Sequence, residues 1–506
     1  MSGVELGLAI VATVDLCFKY GNLLVELYTS FKAAESRLKE HIVRLETVWF
    51  RTTSQLQVLK SVWQSLNPTH QQIQNQIVDI LAGKLKIAVS RIEGVIKKDA
   101  NTPSEIPGRV RRWKYALLKE GLDKSLDEIE TWQRIFDPSW FFIMQTAASV
   151  IDDELSAADQ GSTSPAIASA SSLRIALRPD SGDKAKVFLP LQGLNLDQSL
   201  DIAFSSLTLA QRKGSSKWLI LEKVNRPAKS DPALFIKDVR DIARKLSHAN
   251  PLTFGLLNCY GVIRLFDSGA AHPSSFTFVF RVPDGFSNPR TLRAVLQHDS
   301  IDHSLSERFE IAKGLARAVS YVHCFGFVHK NIRPETVLLL HDGNASLGHP
   351  FLVGFEAFRN ADGRTLRLGD STWNLNIYRH PHRQGEIPHD DYVMQHDIYS
   401  LGVCLLELGL FVSFVVYDED SIPSCTSSVF GLPAEALKAA KAIDVKEHLV
   451  SLARAELPKR MGSKYTNVVV TCLTCLDEEN IDFGDQSEFQ DEDGILVGVR
   501  YIDKVC

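Results

Sequence analysis

Long hydrophobic runs are missing from this chain. The longest near its start, Leu6 to Val14, falls well short of the roughly 20 apolar residues that cross a bilayer. The same stretch, MSGVELGLAIVATVDLCFKY, has no basic n-region and no convincing cleavage site, so no secretory signal is read there and a cytoplasmic resting location is expected. Cysteine is sparse, with eight in 506 residues. Cys17, Cys259, Cys324 and Cys404 lie in apolar runs, where a reduced thiol packs as a small hydrophobe, which argues against a disulfide scaffold. Cys472 and Cys475 form one CxxC with no further ligands at metal spacing, so two core thiols are expected and no zinc. Charge of one sign is also lacking. The net charge of −5 gives no overall pull toward nucleic acid, and no nucleic-acid-binding module accompanies the basic residues.

What is present is an ordinary globular composition, 44% apolar and 23% charged, in a chain long enough for two or three cores. The spacing of apolar residues predicts an α+β two-domain protein: an all-α bundle over 1–151, a linker over 152–183, and a second domain over 184–506. In the first, Leu38, Ile42, Leu45, Trp49, Thr52, Leu56, Leu59 and Trp63 recur at 4-3-4-3 spacing, a stripe that must face other helices. Ile73, Ile77, Leu81, Leu85, Ala88, Ile92 and Val95 repeat the pattern, as do Val110, Trp113, Leu117, Leu122, Ile129, Trp132 and Phe136. With the N-terminal helix this makes four long helices and a short one around Trp140 to Val150. The segment GSTSPAIASASS has little to bury and reads as linker. Beyond it, KVFLPL, LDIAF, KWLILEKV and FTFVFRV read as strands, and helical patterns dominate from Leu292.

Three motifs in this second region resemble those of protein kinases. YVHCFGFVHKNIRPETVLLL (321–340) matches the frame of the catalytic loop, with His329, Ile332 and Pro334 in place. FLVGFEAFR (351–359) stands where a strand leads into the metal-binding D-F-G triplet. HDIYSLGVCLLELGL (396–410) resembles the helix whose aspartate, here Asp397, braces the catalytic loop. The resemblance implies a bilobal fold, with a small lobe over about 184–290 and a large lobe over about 291–506.

It also implies lost chemistry. The base aspartate aligns with Asn331, its lysine with Arg333, the metal-holding asparagine with Thr336, and the chelating aspartate with Gly354. Phe355 keeps a packing position. His380-Pro381-His382 replaces A-P-E, and AFSSLTLAQRKGSSKWLILEKV holds one glycine, Gly214, where a Gly-rich phosphate loop is expected. Lys223 is the best candidate for the nucleotide-contacting lysine, with Glu222 as the alternative register, and the lysine's usual glutamate partner would fall near Val239. No cofactor or metal is therefore expected, and any ATP bound would be unproductive. An active Ser/Thr kinase is the reading least favoured.

The start of the chain, SGVELGLAIVATVDLCFKYGNLL followed by a long helix, resembles the fungal HeLo family of prion-inhibition and cell-death proteins. The resemblance implies a helical bundle, some members of which insert the first helix into membrane. Ten basic residues lie between Lys84 and Lys119, opposed only by Glu93, Asp99 and Glu105. Lys84, Lys86, Lys97, Lys98, Arg109, Arg111 and Arg112 are thus candidates for anionic lipid, or else form a solvated helix face. The order of bundle and kinase-like domain is similar to the mixed-lineage kinase domain-like proteins of regulated necrosis. Two functions stay open: a kinase-like domain that restrains a bundle which self-associates on anionic membrane, or an adaptor binding protein partners with no membrane step. The acidic stretch 477–494 is either a loop or a latch.

Overall fold

The computed structural model describes residues 3–29, 39–100, 107–144, 149–161, 164–178, 187–190, 194–215, 217–227, 230–298, 303–343, 345–355, 359–360, 372–385, 392–418 and 422–480. The chain divides into two units, Met1–Arg174 and Ile175–Cys506.

The first unit is all helical: α1 (Gly3–Thr29), α2 (Lys39–Val62), α3 (Pro68–Ala100), α4 (Pro107–Ile143), α5 (Ser149–Gly161) and α6 (Pro165–Leu177), whose last residues cross the division. The α2 stripe faces inward as its spacing predicts, with Ile42, Leu45, Trp49, Thr52, Leu56, Leu59 and Trp63 all buried. Ile77, Leu81, Leu85, Ala88 and Ile92 of α3 join them, as do Leu122, Ile129, Trp132 and Phe136 of α4. From α1, Ile10, Val14, Cys17, Leu24 and Tyr28 complete the core. Gly21 lets α1 approach α2: a Cβ there would meet the Trp49 ring at 2.0 Å. The Trp49 Nε1–H donates to Asn22 Oδ1 at 2.8 Å, so the ring's polar edge is satisfied in the same contact. Among the described residues no helix is long and apolar enough to cross a membrane.

Of the expected linker 152–183, residues 152–161 and 164–178 are described and are largely helical; the rest lies outside the described residues. The described part carries most of α5 and all of α6, whose Leu155, Ala166, Ile167, Ala170 and Leu173 are buried. Arg174 grips Asp152 through two hydrogen bonds of 2.8 and 2.9 Å. Alanine is the best helix former and its small side chain lets helices pack closely, so an Ala-rich stretch can be a buried helix with little hydrophobic period to announce it.

The second unit opens with a small α+β lobe: β1 (Phe188–Leu189), β2 (Leu194–Asp201), β3 (Leu207–Arg212), β4 (Trp218–Asn225), α7 (Pro232–Ser247), α8 (Pro251–Phe254), β5 (Cys259–Leu265) and β6 (Ser275–Arg281). Its sheet has the order β1-β5-β6-β4-β3-β2, antiparallel except for β1 against β5. Asp231 caps α7 by accepting from the N–H groups of Ala233 and Leu234, with Pro232 at the first helical position.

The large lobe follows: β7 (Ser287–Thr291), α9 (Leu292–His298), α10 (Leu305–Cys324), β8 (Phe327–Val328), β9 (Val337–His341), β10 (His349–Leu352), β11 (Arg359–Asn360), α11 (Trp373–Asn376), α12 (Met394–Leu410), β12 (Val415–Tyr417), β13 (Pro423–Thr426), α13 (Ala434–Ala439) and α14 (Ala442–Leu473). β7 pairs with β9, so the large lobe begins a few residues before the expected boundary at 290. α12 is buried along its whole length and packs against α10 and α14. Cys472 and Cys475 are buried thiols, as their apolar context predicts. This is a two-domain arrangement, all-α then kinase-like α+β.

Candidate functional site

The loop joining β8 to β9 is held from below by Asp397 at the start of α12. Its buried carboxylate accepts from the backbone N–H groups of His329 (2.7 Å) and Lys330 (2.9 Å) and from the Tyr392 hydroxyl (2.7 Å), and lies 3.0 Å from His323 Nε2. Burial works to raise its pKa. The His323 hydrogen bond and charge, aided by the other donors, outweigh burial and hold the carboxyl below its usual range. Lys330 takes a φ of +65°, the bend that turns both N–H groups onto one carboxylate. His329 is wholly buried, and burial drives its imidazole down to about 4, so it is neutral here. Its ring lies 5.0 Å from that of Phe355. His329, Phe355 and Asp397 therefore sit together as structural members of the loop.

The three residues that follow turn their polar atoms onto the loop itself. Asn331 Nδ2 donates to the Gly354 carbonyl (3.2 Å), and its Oδ1 accepts from Arg333 Nε (2.9 Å). The Thr336 hydroxyl lies 2.7 Å from the Asn331 carbonyl and 2.9 Å from that of Arg333, and accepts from the Arg333 N–H at 3.1 Å. Gly354 has a φ of +88°. A Cβ built on it would meet Thr336 Cγ2 at 2.3 Å and Thr336 Cβ at 2.7 Å. The position aligned with the chelating aspartate is thus glycine, and the threonine fills the space a side chain would need. Glu356, a carboxylate two positions after the one aligned with the chelating aspartate, lies outside the described residues.

Strand register corrects one expectation. β4 pairs with β6 so that Glu222 stands opposite Phe278 and Lys223 opposite Thr277. Because side chains alternate, Glu222 is the buried member, on the face of Phe276, Phe278 and Phe280, and Lys223 points outward and is exposed. Lys223 therefore cannot serve the cleft. In its stead the Glu222 carboxylate reaches across the lobes to accept from the Gly354 N–H at 3.2 Å. Val239, where a partner glutamate was sought, is fully buried on α7.

Nor does Gly214 belong to a phosphate loop. It lies in the turn between β3 and β4, and the turn covering the cleft is 202–206, between β2 and β3. That turn holds no glycine. Phe204 adopts a φ of +58° and sets its ring 5.0 Å from Tyr417 and 5.5 Å from His298, and the Ala203 carbonyl accepts from Thr291 Oγ1 at 2.9 Å. Under the turn is a cavity of about 270 Å³, lined by Ser205, Ser206, Arg333, Glu335, Thr336 and Tyr417 among others. Its volume is at the low end for small-ligand pockets. The residues at these positions offer no carboxylate at 331, 336 or 354 to seat a metal ion. At 222 a buried carboxyl group stands where a cation would be needed to meet a phosphate. Among the described residues no cluster of histidine, cysteine and acidic side chains could hold a metal.

Parts of this chain are similar to protein kinases. A stretch of 100 residues is 32% identical to the mitogen-activated protein kinase kinase mkk2 of Aspergillus fumigatus, covering 20% of this chain and 18% of that protein. A stretch of 105 residues is 30% identical to eukaryotic translation initiation factor 2-alpha kinase 1 of Mus musculus, covering 20% and 16%. A longer match, 171 residues at 25% identity, covers 34% of this chain and 39% of the MAP kinase kinase skh1/pek1 of Schizosaccharomyces pombe. The chain thus spans well under half the length of these relatives. No family model matches the chain.

The motif reading missed a buried network beside the kinase-like loop. Arg293 of α9, fully buried, donates to Glu335 (3.2 Å), Glu407 (2.8 Å), Ser413 (2.6 Å) and Tyr378 (2.5 Å), and the Tyr417 hydroxyl donates to Glu335. Burial alone would favour a neutral guanidine, yet the two carboxylates hold Arg293 protonated. Burial also works to raise Glu335, but Arg293 and Arg333 keep it below the usual carboxylate range, whereas burial pushes Glu407 up. The partners stand 42 to 120 positions from Arg293, so no local pattern announces them. Of the basic candidates in the first unit, Lys84 is half-buried and Lys86 exposed on α3. Lys97, Lys98, Arg109, Arg111 and Arg112 have side chains outside the described residues.

Proposed function

We propose that the second unit is a kinase-like module that has given up phosphoryl transfer and acts by binding, regulating the helical bundle that precedes it. The observation that carries this reading is the Gly354–Thr336 contact. Phosphoryl transfer needs a metal ion seated between nucleotide phosphates by a carboxylate. At 354 the backbone has no side chain, and the space one would enter is filled by a threonine methyl. Glu222, buried at the inward position of β4, puts a carboxyl group and no cation where the resemblance places lysine. Asn331 cannot take a proton, and its carbonyl oxygen is already paired with Arg333. The scaffold contacts around Asp397 are nonetheless complete, which fits a fold kept for its surfaces. Full-length protein incubated with labelled ATP, magnesium and a generic protein substrate should transfer no phosphate. Turnover that disappears in Asn331→Ala or Arg333→Ala would overturn the reading.

A second reading, in which the HeLo-like bundle acts at an anionic membrane, is favoured by the outer face of α3. Ile80 (51% exposed), Lys84 and Ile87 (59% exposed) follow one another at helical spacing, with Lys86 beside them. On this reading the kinase-like unit restrains the bundle until a signal releases it, as in regulated cell death. Leakage of anionic vesicles by residues 1–174, weak or absent with the restrained full-length protein and weakened by Ile80→Glu with Ile87→Glu, is the expected result. Intact vesicles at every protein concentration would leave the adaptor role, binding protein partners with no membrane step.

A further inference from the structure

On the face of the small-lobe sheet opposite Glu222, Leu194, Ala210, Leu219, Leu221, Ile263 and Val279 form a buried apolar cluster, with Tyr260 partly buried against it. Arg212 stands directly opposite Leu194, and Arg281 directly opposite Leu219, so both arginines rise from this same face. Both are exposed, and both guanidinium groups lie over the one Tyr260 ring, at 5.7 Å for Arg212 and 4.7 Å for Arg281. Arg281 donates to Asn258 Oδ1 at 2.7 Å. Neither arginine has a carboxylate partner among the described residues. The nearby Asp284 is taken by Lys217 at 3.1 Å. Two cations sharing a ring repel one another, and a carboxylate between them would turn that repulsion into two charge-assisted hydrogen bonds.

The chain contains a segment of matching chemistry. Residues 481–494 hold Asp482, Asp485, Glu488, Asp491, Glu492 and Asp493, with no lysine or arginine, and Phe483 and Phe489 are set among them. The residue before the segment is pinned to the large lobe: Asn480 Nδ2 donates to the Thr471 carbonyl (3.1 Å) and to Thr474 Oγ1 (2.8 Å). From there an extended chain advances roughly 3.3 Å per residue, giving Asp493 a reach on the order of 40 Å. We propose that the Arg212–Tyr260–Arg281 face docks the chain's own acidic segment 481–494, with its carboxylates on the two exposed guanidinium groups. The docked segment would mask this face from other partners, and any protein that binds the arginines would release it. This inference does not depend on whether the cleft binds nucleotide.

Hydrogen–deuterium exchange on the full-length protein tests it. Amides in 481–494 should exchange about tenfold more slowly than in the Arg212→Glu, Arg281→Glu variant, the population expected of two surface charge pairs acting together. Adding Asp485→Lys and Glu488→Lys to that variant should restore the slow exchange, and 1 M salt should abolish it in the parent protein. If the reversal variant does not fold, Arg212→Gln with Arg281→Gln carries the same comparison. Equal exchange in parent and variant overturns the proposal. Slowing that rises with protein concentration also overturns it, assigning the face to a second copy's segment instead.

Discussion

Placing an aspartate at position 354 is the sharpest test of how this cleft is built. In Gly354→Asp the new Cβ falls 2.3 Å from Thr336 Cγ2 and 2.7 Å from Thr336 Cβ, distances that no real contact sustains. The backbone at φ +88° adds a steric cost of about 1–2 kcal/mol for a residue with a side chain. Overpacking of this kind adds roughly 1–3 kcal/mol. The variant should therefore lose on the order of 2–5 kcal/mol of stability, read as a lower denaturant midpoint with an unchanged slope. Thr336→Ser removes the offending methyl and keeps the hydroxyl that bonds Asn331 and Arg333. Alone it should cost about 1 kcal/mol or less, as loss of one buried methyl does. Combined with Gly354→Asp it should recover part of the loss, a coupling of roughly 0.5–3 kcal/mol. A Gly354→Asp protein as stable as the parent, or a double variant with purely additive losses, would refute the claim that these two positions are fitted to each other.

Other expectations follow from the same contacts. Gly21→Ala drives a methyl into the Trp49 ring and should destabilise the first unit by about 1–3 kcal/mol in a urea melt followed by tryptophan fluorescence. Arg293→Met leaves Glu335 and Glu407 buried without their cation and should cost about 3–5 kcal/mol in the same assay, with a partial return in Arg293→Met, Glu407→Gln. Stability should also fall with acid. His329 is neutral down to about pH 4 in the folded protein, whereas in the unfolded chain it gains a proton below about 6.5. The unfolded state thus binds more protons between those values, and stability is lost as pH falls from about 6.5 to about 4, by on the order of 3 kcal/mol for this residue. His380, driven down to about 2 by burial and the neighbouring His396, steepens the same slope. A denaturant midpoint that is flat from pH 7 to pH 4.5 would contradict both assignments.

Much of this fold could be read from spacing alone. The α2 stripe lands in the core residue by residue because helical periodicity is a local property. Asp397, His329 and Phe355 fall together because the kinase-like motifs keep their frame. Other features depended on pairing that a single sequence does not display. Whether Glu222 or Lys223 faces the cleft is decided by the register of β4 against β6, since a slip of one residue exchanges them. The covering turn at 202–206 was hidden because it carries Phe204 where glycine was sought, and β3 and β5 were not recognised at all. Most of α5 and all of α6 read as linker from sequence because Ser and Ala carry no strong hydrophobic period, yet Ala166, Ala170 and Ala176 are buried. The Arg293 network joins residues from α9, β12, α12 and the loops between, and only the folded chain brings them together.

On the proposed reading, the cleft has no place for a metal-bound nucleotide. Titrating the full-length protein with ATP and magnesium while following its melting temperature tests this directly. The account predicts no saturable rise at nucleotide concentrations into the millimolar range, because a ligand with Kd far above its concentration adds no stability. A rise that saturates, requires magnesium and disappears in Thr336→Ala would contradict it.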